Sequence, residues 1–152
     1  MRRADERRIA SIMMSLGIFS FTSWQNTSEQ SGTAQSLVSA LRNAAERSVS
    51  EGRTYCVDFP GTTAQSYVVY QHSCGTGTLA PGGAKTESTK VALTTSATAP
   101  PAALNLTCPT SHACIYFFPR GTATAATVNV TSTARSKVYV IHVEGLTARV
   151  WM

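Results

Sequence analysis

The chain has 152 residues, only 14% of them charged, and a formal net charge of +5. That length suits one domain with an appendage, and the low charge with abundant Ser and Thr excludes the make-up of a cytosolic helical enzyme in favour of a sheet-rich or extracellular protein. The charge is thinly spread: the first eight residues carry +2, leaving +3 for the rest, and no Lys/Arg patch interleaved with aromatics marks a nucleic-acid binder.

The N-terminal stretch RRADERRIASIMMSLGIFSFTSW, residues 2–24, sets four arginines before an apolar run from Ile9 to Trp24. The run supplies 16 positions, several of them Ser, Thr or Gly, against the roughly 20 of a comfortable membrane span. It has the n- and h-regions of a signal peptide, but FTSWQNTS is a poor cleavage site. The reading is an uncleaved anchor, with the arginines holding the N-terminus on the cytoplasmic side.

A helical pattern follows. Ala34, Leu37, Val38, Leu41, Ala44, Ala45 and Val49 keep the 3-4 spacing of one apolar face, while Arg42, Asn43, Glu46, Arg47 and Ser50 fall on the other. Gly52 suits a C-cap. This predicts one helix from near Ile9 to Glu51, apolar nearly all round in its first half and amphipathic in its second, with Gly17 and Gly32 as weak points. Leu37, Val38, Leu41, Ala45 and Val49 are expected to be buried.

Beyond Gly52, β-branched and aromatic residues predict strands at 54–59, 66–71, 90–95, 114–118, 126–132, 137–143 and 148–151. PGTT, CGTGTLAPGGAK, PRG and EGLT read as turns between them, and residues 95–105 as a loop. A helix followed only by antiparallel strands is an α+β layout. The amphipathic half would cover the sheet. The apolar half would protrude and need lipid or copies of itself.

Cys56, Cys74, Cys108 and Cys114 allow three pairings. Cys108 and Cys114 bracket PTSHA, a loop that a disulfide could close, and Cys56 approaches Cys74 if the flanking strands form a hairpin. Zinc competes poorly: no C-x2-C pair is present, and His72 and His112, each two residues from a cysteine, form no zinc pattern. Free thiols are the other alternative; disulfides Cys56–Cys74 and Cys108–Cys114, hence export, are expected.

No catalytic site is expected. There is no G-x-S-x-G elbow, and GTGTLAPGG lacks the Lys-Ser/Thr of a phosphate loop. His72, His112 and His142 read as structural. No metal or cofactor is expected.

Three stretches carry a family resemblance. LVSALRNAAERSVSEGRTYCVDF (37–59) is similar to a pilin helix end running into a Gly-bounded first strand. IYFFPRGTATAATVNV (115–130) resembles a phenylalanine strand, a Gly turn and the next strand. VYVIHVEGLTARVWM (138–152) is similar to a closing hairpin with Gly and a basic residue. In order and spacing they resemble the GspH/FimT family of type IV pilin-like minor pilins and minor pseudopilins. ADERRIASIMMSLG departs from that family's precursors in lacking the Gly-Phe motif with its Glu, and IMMSLGIF resembles the second half of the usual hydrophobic segment.

The resemblance implies a non-enzymatic structural subunit of a type IV pilus or type II secretion system that primes or caps the filament. Residues 1–28 would be the hydrophobic anchor half of the helix. Residues 29–152 would be a pilin-like domain, with the amphipathic helix at 33–51. The partners implied are other pilin or pseudopilin subunits through the N-terminal helix, and the cytoplasmic membrane before assembly. The location implied is the cell envelope, with the domain outside the membrane or in a surface filament. The alternative is a DNA-binding minor pilin for natural transformation. Arg120, Arg135, Lys137 and Arg149 would be its candidate contacts, against the blander reading of solvated strand-edge charges, which is preferred. A third reading, an unrelated secreted β-domain on a signal anchor, expects a helix break near Gly32.

Overall fold

The computed structural model describes the backbone of residues 2–61, 63–133 and 135–152, and their side chains except at 2–24, 26 and 135. The expected anchor run Ile9–Trp24 is therefore described as backbone only, and residue 62 of the expected PGTT turn lies outside the described residues.

One helix, α1, runs unbroken from Arg2 to Ser50. At 1.5 Å per residue its 49 residues measure about 73 Å. It passes through Gly32 without a break; a Cβ there would meet nothing within 4 Å, so that glycine carries no packing role. The helix stops at Gly52, whose φ of +64° is the left-handed conformation glycine adopts freely. The Arg53 N–H then returns to the Ser48 carbonyl at 3.2 Å, closing a Schellman turn.

Among the described residues, eight strands follow: β1 (Tyr55–Phe59), β2 (Ser66–Gln71), β3 (Thr78–Thr86), β4 (Val91–Ala97), β5 (Ala113–Phe117), β6 (Ala126–Ser132), β7 (Arg135–Val143) and β8 (Val150–Trp151). They form two four-stranded sheets, ordered β3-β2-β1-β5 and β4-β6-β7-β8, with antiparallel ladders throughout. Single bridges tie the β1–β2 connection to β4 (Ala64–Leu93) and β5 to the β5–β6 connection (Phe117–Ala123). A 3-10 turn, Ala102–Leu104, interrupts the long β4–β5 connection.

Both sheets pack on α1. Ala34, Leu37, Val38, Leu41 and Ala44 share one core with Tyr55, Val57 and Phe59 of β1, Ile115 and Phe117 of β5, Val128 and Val130 of β6, and Ile141 of β7. Ser48 takes the inward position of the last turn and donates from Oγ to the Phe118 carbonyl at 3.2 Å. Val49, expected to be buried, is instead 53% exposed. The inward stripe runs 37-41-44-48, and at 100° per residue Val49 turns away from it. Ala45 is half-buried.

Strand β3 corrects the turn expected at 74–85. Pro81, Gly82 and Gly83 lie inside a strand, because β3 is an edge and its pairing with β2 shifts register between Val68 and Tyr70. Pro and Gly are tolerated at such places. A Cβ at Gly83 would come within 2.7 Å of the Ala80 and Val69 carbonyl oxygens.

A second register shift, between Val130 and Ser132, leaves two carbonyls of the β6–β7 pair for a side chain to satisfy. Gln30, 1% exposed, supplies it: Nε2 donates to the Val130 carbonyl at 2.9 Å and to the Lys137 carbonyl at 2.7 Å. At the other end of the seam, Arg42 donates to the Val150 carbonyl from Nη2 at 2.9 Å and holds β8 to the helix.

Candidate functional site

All five residues of β1 are buried. Tyr55, Val57 and Phe59 face α1, while Cys56 and Asp58 face outward into a small second cluster with Cys74, Cys114 and Tyr116, packed by Tyr70, Leu106 and Phe118. Disulfide Cys56–Cys74 ties β1 to the turn after β2, and Cys108–Cys114 ties the β4–β5 connection to β5. The sulfurs of Cys56, Cys74 and Cys114 lie within 4.8 Å of one another. All three are engaged in disulfides, so none is a thiolate able to bind a metal.

The same connection is held down by polar contacts. The Thr107 N–H donates to Ser73 Oγ at 2.9 Å, and the Tyr116 hydroxyl to the Thr107 carbonyl at 2.6 Å. The ring of His112 sits with Nδ1 2.8 Å from Asp58 Oδ1, a carboxylate only 5% exposed. His142 stacks on Trp151 with ring centroids 5.5 Å apart, and the His72 N–H donates to the Thr54 carbonyl at 2.7 Å.

Fastened in this way, segment 98–106 forms one wall of an open groove of about 780 Å³. Segment 118–125, between β5 and β6, forms the other. The floor and walls are apolar, with Pro101, Leu104, Leu106, Phe118 and Pro119, and Arg120 and His72 are also part of the lining. A second open groove shares Thr54, His72 and Pro119 with the first and adds Arg53. Both lie where α1 ends. The nearest acid in sequence, Glu51, is already engaged: Arg47 Nε lies 2.8 Å away, and the Tyr55 hydroxyl donates to it. The bond from Tyr55, then that from Arg47, holds the Glu51 carboxyl below its usual range.

The four candidate basic residues fall into two groups. Arg120 and Arg149 lie at the end where α1 terminates. The Ala123 N–H bonds the Gly145 carbonyl at 2.8 Å and the Glu144 N–H bonds the Arg149 carbonyl at 3.0 Å, so the β7–β8 turn adjoins the β5–β6 connection. Arg135 and Lys137 begin β7. From Lys137 to Val143 is six residue steps, about 20 Å of strand. Lys137 Nζ lies 4.7 Å from the Tyr139 ring centroid. The side chain of Arg135 is outside the described residues.

A family model described as type II transport protein GspH matches residues 33–147, from the amphipathic part of α1 to the β7–β8 turn. The chain belongs to the GspH family. Its fold is shared with solved members of the pilin class. The minor pseudopilin EpsH from the type 2 secretion system of Vibrio cholerae aligns with a TM-score of 0.61 at 15% identity, over 81% of this chain and 96% of that one. The type IV minor pilin FimU of Pseudomonas aeruginosa aligns with a TM-score of 0.61 at 13% identity, over 85% and 91%. No curated protein sequence matches the chain. Like EpsH and FimU, this GspH-family chain has an N-terminal helix packed on antiparallel sheets. Among its described residues no helix is long and apolar enough to cross a membrane, and the expected anchor half falls largely on residues whose side chains lie outside those described.

Nothing in the composition pointed to the groove. It is assembled from segments that sequence reading treats as separate loops, and its one legible trace is the FFPRG turn that carries Arg120.

Proposed function

We propose that this chain is a minor pilin or minor pseudopilin: a structural subunit that primes or caps a type IV pilus or a type II secretion pseudopilus. The observation that carries this reading, beside the family, is the division of labour along one helix. The β domain takes up Gln30, Ala34, Leu37, Leu41, Ala44 and Ser48. Residues 2–29 precede them in the same unbroken helix, about 42 Å at 1.5 Å per residue. A secreted β-domain on a separate anchor expects a break near Gly32, and α1 has none.

In this reading residues 1–28 lie in the membrane before assembly and pack among the helices of neighbouring subunits afterwards. The apolar run exchanges lipid for helix contacts, and Ser11, Ser15 and Gly17 permit close approach. Residues 29–152 stand outside the membrane, and the two disulfides fit that oxidising side.

The test is complementation. Cells lacking the gene should lose surface pili or type II secretion and regain them with the full chain. Residues 28–152, exported by a cleavable signal peptide, should accumulate as folded protein and restore nothing. Restoration by the truncated form would refute the role given to the helix.

A further inference from the structure

The two disulfides differ in access. Cys56, Cys74 and Cys114 are 0%, 1% and 4% exposed, whereas Cys108 is exposed and lines an open groove of about 380 Å³ with Ser111, His112 and Ala113. A thiolate exchanges with a disulfide only by reaching one of its sulfurs, so access selects where attack begins. Burial closes Cys56–Cys74 to direct attack, and Cys108 is the one cysteine of the four that an external thiol meets.

The two disulfides also abut. The sulfurs of Cys56, Cys74 and Cys114 lie within 4.8 Å of one another, so a new bond of about 2 Å from Cys114 needs only a small side-chain shift. Breaking Cys108–Cys114 would leave Cys114 where it is, because it belongs to β5 and pairs with Asp58 of β1 in the ladder. The same ladder selects its target. Cys56 pairs with Tyr116, two positions along from Cys114 on the neighbouring strand. Such diagonal neighbours have Cα atoms about 7–8 Å apart, too far to bridge without backbone movement. Cys74 lies in the turn after β2, outside any ladder, and can follow its sulfur.

We propose that Cys108–Cys114 is a thiol-exchange site for an external dithiol, and that Cys114 relays the exchange inward to Cys56–Cys74. A thiolate of the dithiol attacks Cys108 Sγ, the Cys108–Cys114 bond breaks, and Cys114 leaves as a thiolate. The second sulfur of the dithiol then displaces Cys108, and the dithiol closes to its own disulfide. The Cys114 thiolate attacks Cys74 Sγ, the Cys56–Cys74 bond breaks, and Cys56 leaves as a thiolate. The two protons of the dithiol end on Cys108 and Cys56. Two electrons have passed to the chain, which keeps one bridge, Cys74–Cys114. Dithiol oxidoreductases of an oxidising compartment carry the required chemistry. The exchange unties the β4–β5 connection, leaving it held by the polar contacts of Thr107 with Ser73 and Tyr116, and ties the turn after β2 to β5 instead.

The experiment adds dithiothreitol, as the dithiol, to the full oxidised chain folded in mild detergent. Samples taken over time are quenched in acid, their free thiols are alkylated, and the remaining bridges are mapped by mass spectrometry. The expected first product has Cys108 and Cys56 alkylated and a Cys74–Cys114 bridge, and it precedes the form with all four thiols free. Cys114→Ser should slow the opening of Cys56–Cys74 at least ten-fold, and denaturant should abolish that protection. The crossed bridge is read in the parent chain itself, so the test does not depend on the variant folding. The proposal is overturned if no Cys74–Cys114 bridge forms before complete reduction, if Cys56–Cys114 forms in its place, or if Cys56–Cys74 opens as fast in folded Cys114→Ser as in the parent.

Discussion

Gln30→Leu is the sharpest single test of how the helix is locked to the sheets. Leucine keeps most of the buried volume, so the cavity left is small, but the variant has no donor. The Val130 carbonyl is buried, and losing its partner costs about 1–3 kcal/mol. The Lys137 carbonyl is part-buried, and water can recover some of that loss, leaving about 0.5–1 kcal/mol. The sum, about 2.5 kcal/mol, corresponds to roughly 8–12 °C in melting temperature for a domain of this size. Gln30→Glu should be worse at neutral pH, because a carboxylate would face two carbonyl oxygens. Burial beside them raises its folded-state pKa above the unfolded value, so stability should return as pH falls through the folded pKa, where the protonated acid can donate again. Thermal unfolding of the full chain in mild detergent, followed by near-ultraviolet circular dichroism, reads both effects. A Gln30→Leu variant within about 0.5 kcal/mol of the parent, or a Gln30→Glu variant with no recovery in acid, would refute the role given to this side chain.

Leu41→Asp should leave no folded domain, since it puts an unpaired carboxylate at a fully buried position, whereas Val49→Ser should stay within about 0.5 kcal/mol of the parent; denaturant titration of both variants reads the contrast. Non-reducing peptide mapping should recover Cys56–Cys74 and Cys108–Cys114, and crossed pairs or free thiols in exported protein would contradict the arrangement. By loop length alone, replacing the first pair with serines should cost about 3 kcal/mol and the second about 2, for sequence separations of 18 and 6. A gel-shift titration at two salt concentrations should show no DNA binding at physiological salt, because Arg120 and Arg149 are set apart from Lys137 and too few phosphates can be neutralised together; micromolar binding that disappears in Arg149→Ala would promote the transformation role.

Strands β1, β2 and β4 to β7 were legible because β-branched and aromatic residues cluster or alternate where one face meets a core, as in Thr127-Val128-Asn129-Val130. Alternation reports which face is buried and does not report the partner strand, so the division into two sheets could not be read from it. Strand β3 was hidden by Pro81, Gly82 and Gly83, whose turn chemistry is equally suited to an irregular edge strand. The helix face was legible to within one position: Val49 and Ser48 compete for the last inward place, and hydrophobicity alone favours the wrong one. Gln30 looked like any polar helix residue, since its role depends on a register shift about 100 residues away in sequence. The groove depends on tertiary placement of two loops, and within it only Arg120 had been singled out as a candidate contact, while His72 had been read as structural.

The central claim is that this chain is a built-in part of a filament, present at few sites. Quantitative mass spectrometry of filaments sheared from native cells, with isotope-labelled peptides from the β domain and from residues 9–41, measures it directly. The account predicts both peptides in equal amount, at a small fixed ratio to the major subunit that stays constant as filament number changes. Filaments that lack the chain, from cells that export and fold it normally, would contradict the account.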